Sequence, residues 1–141
     1  MWEKSSDDLN QELMAQPNLD QYLTENEGYW RHADISVFLT RLHEGSGLSK
    51  AELARRAWIS GVYLHQVFSG RRRPSRDRLL CLCISMETSL EETQQLLKRV
   101  GYSPLYPKLK RDAIIVRGIL HRTSLAQIND KLFSENEKTL F

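Results

Sequence analysis

The residues from Gly47 to Ser75, GLSKAELARRAWISGVYLHQVFSGRRRPS, constrain the fold of this 141-residue chain more than any other stretch. Two capping serines, Ser49 and Ser60, stand eleven residues apart, which leaves room between them for one short helix and one tight turn. Ser49-x-x-Glu52 reads as a capping box, in which the serine hydroxyl and the glutamate carboxylate each take a free amide of the first turn. Ala51, Leu53, Ala54 and Ala57 follow at helical spacing and are small enough to let another helix come close. Trp58-Ile59 breaks the pattern. Ser60 starts a second helix on which Leu64, Val67 and Phe68 recur at i, i+3 and i+4. Gly70 suits the C-terminal cap, where the left-handed conformation costs glycine nothing. Arg71, Arg72 and Arg73 precede Pro74, which does not continue a helix.

The flanking sequence repeats this style. Asp34 caps an amphipathic helix carrying Ile35, Phe38, Leu39 and Leu42, which ends between Gly45 and Gly47. Ser75 caps a helix whose Leu79, Leu80, Leu82, Cys83 and Ile84 are almost continuously apolar. Ser89-x-x-Glu92 is a second capping box. It opens a helix with Leu90, Leu96, Leu97 and Val100 that stops at Gly101. Tyr102 to Pro107 is a turn-rich connector with bulky anchors, and Pro107 suits the first turn of a helix from about Lys108 to His121. Ser124-x-x-Gln127 is a third capping box and opens a helix with Leu125, Ile128, Leu132 and Phe133. The polar tail from Ser134 is expected to fray.

With these helices around it, the central stretch resembles the helix-turn-helix of the Cro and phage-repressor (XRE-type) DNA-binding family. Leu48-Ser49-x-x-Glu52-Leu53-Ala54 matches the first helix of that motif. Ile59-Ser60-x-x-x-Leu64-x-x-Val67 matches the second, and Ser69-Gly70-Arg71-Arg72-Arg73-Pro74-Ser75 the loop after it. The chain differs at Trp58, where the family usually has glycine, at Phe68, where a polar residue is common, and at Lys50, which is often Gln. The resemblance covers about Asp34 to Gly101. It implies an all-α protein with a five-helix, lambda-repressor-like helix-turn-helix domain over residues 31–101. Residues 1–30 then form an acidic N-terminal arm of two short helices, or a partly ordered one. Residues 102–141 form a C-terminal appendage of two helices.

Charge is segregated along the chain. The overall formal charge of +2 conceals −6 over residues 1–30, +6 over 31–78, −3 over 79–97, +6 over 98–122 and −1 over 123–141. Two basic blocks in a nearly neutral chain point to an anionic partner met locally. The acidic arm either docks on a basic surface or pairs subunits, or it is a solvated extension anchored by Tyr22, Tyr29 and Trp30. No apolar run approaches the ~20 residues of a membrane span, so no membrane partner is expected. Cys81 and Cys83 point apart on one helix, which disfavours an intrachain disulfide and fits a reducing, cytoplasmic setting. The sequence has no phosphate-cradling glycine loop, no HExxH and no nucleophile with a paired base. An enzyme is therefore not expected, and no cofactor or metal is called for.

In the helix-turn-helix reading, the second motif helix lies in the major groove of double-stranded DNA. Leu64 and Val67 face the core, which leaves Gly61, Val62, His65 and Gln66, with Tyr63 at the edge, as base-reading candidates. Gln66 suits adenine and Val62 suits a thymine methyl. Ser49, Lys50, Ser60, Arg71, Arg72, Arg73 and Arg76 are the phosphate-contact candidates. Arg55 and Arg56 have acidic partners within reach, in Asp34 or Glu44. The expected function is sequence-specific DNA binding by a transcriptional repressor acting as a homodimer. The candidate dimer surface is the fifth domain helix or the appendage with Ile115, Ile119 and Leu120. The competing reading is a protein-interaction module, an antitoxin or adaptor for a partner enzyme, using Trp58, Tyr63 and Phe68.

Overall fold

The computed structural model describes residues 5–15, 18–25 and 35–141. It divides into two compact units, residues 1–34 and 35–141. The first contains α1 (Ser6–Ala15) and α2 (Leu19–Glu25). Ser5 caps α1 by accepting from the Asp8 amide at 3.1 Å, and Asn18 caps α2 by accepting from the Asp20 amide at 2.9 Å. Tyr22 is buried, while Tyr29, Trp30 and Asp34 lie outside the described residues.

The second unit contains α3 (Ile35–Glu44), α4 (Lys50–Arg56), α5 (Gly61–Phe68), α6 (Arg76–Ser85), α7 (Leu90–Arg99), α8 (Lys110–Leu120) and α9 (Leu125–Ser134). Its axis is α6, on which every residue from Leu79 to Ser85 is buried. Packed against α6 are α4, α7 and α9. An apolar run with no polar face is what a helix covered on several sides requires. The motif pair α4–α5 sits on this base, with α3 packed on α5.

One turn recurs between helices. Trp58, Glu87 and Arg122 take left-handed backbone, with φ of 57°, 54° and 52°. The amide of the next residue bonds back five residues in each case, from Ile59 to Ala54 at 3.0 Å, Thr88 to Cys83 at 3.0 Å and Thr123 to Gly118 at 2.9 Å. That is the Schellman way of closing a helix. The next helix starts at once. Ser60, Ser89 and Ser124 accept the amides of Tyr63, Glu92 and Gln127 at 3.1, 3.1 and 3.2 Å. All the serines expected to cap helices do so, including Ser49 and Ser75. Of the three capping boxes expected from the sequence, Ser124–Gln127 alone closes reciprocally. At Ser49 the return bond is missing, because the Glu52 carboxylate accepts from Arg55 and Arg56 instead.

The C-terminal helices share a single core with the motif. Leu105, Ile115, Ile119, Leu125, Ile128, Leu132 and Leu140 belong to the same buried cluster as Leu39, Leu53 and Leu64. Ile115 and Ile119 are therefore core residues, and a surface role in dimerisation is corrected for both. Leu120, 62% exposed, keeps its outward position. The connector is clasped by Gln94, whose amide donates to the Leu105 carbonyl at 2.8 Å and accepts the Leu105 amide at 2.7 Å. Helix α8 starts at Lys110, not Lys108; Leu109 is its N-cap and offers no side-chain bond. The tail does not fray. Leu140 is buried, its amide donates to Asn129 Oδ1 at 2.6 Å, and Arg111 Nε donates to the Lys138 carbonyl at 2.7 Å. Phe141 stacks on Trp58 with ring centroids 4.9 Å apart.

Helices α8 and α9 cross at Gly118, where an added Cβ would run into the Ile128 side chain well inside contact distance. Gly118→Ala should lower stability by about 1–3 kcal/mol from overpacking, against the roughly 1 kcal/mol that alanine gains in helix propensity. Glu87 is exposed and left-handed, so Glu87→Gly should raise stability by about 0.5–1 kcal/mol. Urea unfolding of both variants checks the pair, and opposite signs are required. Cys81 and Cys83 are free and buried, and burial pushes both thiols up to about 12. Their stabilising effect is complete below the ordinary thiol value and is lost as pH rises through it toward 12. A disulfide thiol reagent at neutral pH should label neither cysteine in the native chain and both after unfolding.

Candidate functional site

Helix α5 is fixed by its inner face. Leu64 and Val67 are 1% exposed and hold it on the core. The outer face shows Gly61, Val62 and His65, all exposed, with Gln66 half-buried beside them. Val62 is 71% exposed, an apolar side chain held in solvent at the helix start. An added Cβ at Gly61 would meet nothing within 4 Å, so the fold itself does not demand glycine there.

The three arginines after α5 have different surroundings. Arg71 has an exposed side chain with no ion pair or hydrogen bond among the described residues. Arg72 Nε donates to Gln66 Oε1 at 3.0 Å, and its guanidinium lies 5.3 Å from the Tyr63 ring centroid. Gln66 is thereby held in one pose. Its oxygen keeps a second lone pair and its NH2 group has no partner among the described residues, so an acceptor and a donor remain unused. Arg73 anchors the loop. It donates from Nη2 to the Val100 carbonyl and from Nε to Tyr102 Oη at 3.1 Å, with its guanidinium 4.8 Å from the Tyr102 ring. Tyr102 Oη in turn donates to the Pro74 carbonyl.

Of the phosphate candidates, Ser49, Lys50, Ser60, Arg71, Arg72 and Arg73 are exposed around α4 and α5. Arg76 is not among them, and its assignment is corrected. Its side chain is 22% exposed, and its guanidinium donates to the Ser103 carbonyl at 2.8 Å, the Pro104 carbonyl at 3.2 Å and Asp112 at 3.3 Å. Asp112 is 5% exposed and also accepts the Tyr106 amide at 2.9 Å. The pair is a structural tie between the loop, the connector and α8.

Sequence reading missed Arg78. It is exposed on the first turn of α6, and its guanidinium stands 4.7 Å from the Tyr63 centroid. The only signal in the sequence was its place two residues after Arg76. Tyr63 therefore carries two arginines, and it positions cations besides edging the outer face. Phe68 is half-buried under Lys50, whose Nζ is 5.4 Å from the ring centroid, and meets His43 edge-on at 5.4 Å. An aromatic residue is accommodated there because it fills the angle between α3, α4 and α5.

Arg55 and Arg56 pair with Glu52 and not with Glu44; Asp34, the other partner considered, lies outside the described residues. Hydrogen bonds from Arg55 and then Arg56 hold the Glu52 carboxyl down at about 2. Its contribution is present above the ordinary carboxyl value of 4.5 and is lost only as pH falls toward 2. At neutral pH the outer face of α4 is thus partly neutralised, and the uncompensated positive charge gathers at Lys50, Arg71, Arg72 and Arg78.

This arrangement can present a short helix between cations to an anionic, grooved surface. Residues 34–96 match the model of a family described as a helix-turn-helix domain. That agrees with the Cro and phage-repressor resemblance and points to DNA as the partner. Searches of curated proteins and of solved structures found no match. Among the described residues, no helix is long and apolar enough to cross a membrane.

Arg76→Ala should cost about 3 kcal/mol by leaving Asp112 buried without its cation. Arg71→Ala should change stability by less than about 0.5 kcal/mol, as expected for a free surface residue. Chemical denaturation distinguishes the structural arginine from the free one.

Proposed function

We propose that the helix-turn-helix domain at residues 34–96 binds double-stranded DNA sequence-specifically and that the protein is a cytoplasmic transcriptional repressor without catalytic activity. The observation that carries this reading is the outer face of α5, unobstructed and bordered by exposed cations. Val62 and the oriented Gln66 read bases, the one against a thymine methyl and the other against adenine. Gly61 lets the helix start approach the duplex, and His65 completes the reading face. Lys50, Arg71, Arg72 and Arg78 contact phosphates, joined by the backbone amides at the Ser49 and Ser60 caps. A homodimer places two copies of α5 on half-sites about one helical turn apart.

The protein-interaction reading ranks second. Of its three aromatic residues, Tyr63 lies under Arg72 and Arg78, and Phe68 is half-buried under Lys50. Trp58, 64% exposed, is the remaining anchor for a partner protein, and one of its faces is stacked on Phe141.

Fluorescence anisotropy with mixed-sequence duplex DNA at several salt concentrations tests the reading. With the four cations of one protomer each neutralising a phosphate, the slope of log affinity on log salt should be roughly −3.5 for each protomer bound. An Arg71/Arg72/Arg78→Ala variant, which spares the loop anchor Arg73 and is still helical by circular dichroism, should flatten it. Gly61→Ala should weaken binding to a selected site with no loss of stability, since a Cβ meets nothing in the free protein. Absence of binding by the wild type at low salt would rule the DNA reading out. A pull-down that depends on Trp58 and not on the arginines would favour the adaptor.

A further inference from the structure

A cleft of about 700 Å³ opens behind the motif, away from the outer face of α5. Its apolar wall comes from Trp58 in the motif turn, Ile84 at the end of α6 and Ile119 on α8. Its volume falls within the range of small-molecule sites. Three polar features converge on it. Leu125 and Ala126 line it with the first turn of α9, where backbone amides have no acceptor within their own helix. Arg122, in the same rim, is exposed and has no ion pair or hydrogen bond from its side chain among the described residues. Ser85 also lines the cleft; it is 7% exposed, and its hydroxyl has no hydrogen-bond partner among the described residues. A buried hydroxyl left unpaired is uncommon and costly.

The charges around the cleft are unbalanced toward positive. Arg55, Arg56 and Arg122 face a single lining acid, Glu87. Glu52 offsets part of the α4 pair from outside. Arg122 is the cation that remains, and it stands beside the positive end of the α9 dipole.

We propose that this cleft binds a small organic carboxylate with an apolar, ring-sized body. The carboxylate sits on Arg122 and the free amides of Leu125 and Ala126. The apolar body lies against Trp58, Ile84 and Ile119, and a polar group on it reaches Ser85. This site is separate from the DNA-reading face, and its test needs no DNA, so its failure leaves the proposed function standing.

Isothermal titration calorimetry of the full chain uses two probes that share a ring system, 2-naphthoate and the neutral 2-naphthalenemethanol. Naphthoate should bind saturably at one site per chain, about tenfold or more tighter than the alcohol. Arg122→Gln should bring the two probes to similar affinity. Ala126→Trp, at an exposed position on the rim, fills the cleft and should weaken both about tenfold or more. Circular dichroism and urea unfolding establish that each variant is folded. No saturable binding by wild type, equal affinity for both probes, or binding unchanged in folded Ala126→Trp would each overturn the proposal.

Discussion

The structure depends on a three-residue way of turning a corner. A helix ends, one residue goes left-handed, the next is partly or fully covered, and a serine starts the following helix. The geometry is used after α4, α6 and α8, so three helix pairs share it. Each turn satisfies the last carbonyls of one helix and the first amides of the next within a few residues. Little backbone is left to pair elsewhere, and the helices can be short without being isolated. Helices of seven and eight residues, such as α4 and α5, would not persist alone in water. Here they are capped at both ends and pinned by Leu53, Leu64 and Val67.

With α5 fixed in this way, the division of labour among the arginines follows from what each one meets. Arg73 and Arg76 sit where carbonyls point out of the loop and connector, at Val100, Ser103 and Pro104, so they act as bolts. Arg72 meets the Gln66 amide oxygen and a tyrosine face, so it orients a side chain. Arg71 meets solvent. A run of three identical residues thus divides into an anchor, a positioner and a free charge. Sequence alone treats the run as one basic patch, because which carbonyl lies within reach is decided by the connector about 30 residues away.

Much of the fold was legible because caps and apolar periodicity are local. The serines at 49, 60, 75, 89 and 124 each cap the helix that the sequence assigned to them. What escaped depends on distant partners. Ile115 and Ile119 looked like a spare apolar face until α7 and α9 packed on α8. The tail looked polar, yet Asn129 and Arg111 bind its backbone, which a side-chain pattern does not reveal. The start of α8 shifted because Pro107 and Lys108 form a turn ahead of it, and a proline near a helix start does not say which residue begins it. Gly118 gave no warning, since a helix-interior glycine means close approach only once the neighbouring helix is known. In the candidate site, the exposed face of α5 was legible from Leu64 and Val67. The internal role of Arg76 was not, because it requires Asp112.

Trp58 joins these two kinds of information. Its place in the motif turn was recognisable, and so was its departure from glycine. Left-handed backbone costs an L-residue about 1–2 kcal/mol, and a large side chain there gains nothing if it is left in water. The stack on Phe141 gives the indole a partner, and aromatic pairs contribute about 0.5–1.5 kcal/mol. Those magnitudes overlap, so the turn with tryptophan becomes comparable to one with glycine only while the tail is in place. The tail is held by Leu140 in the core and by the bonds from Asn129 and Arg111. The geometry of the motif turn is thereby tied to the last helices of the chain, and the same indole forms a wall of the cleft behind the motif. A tryptophan in place of the usual glycine is thus the contact through which α8, α9 and the tail reach the helix-turn-helix.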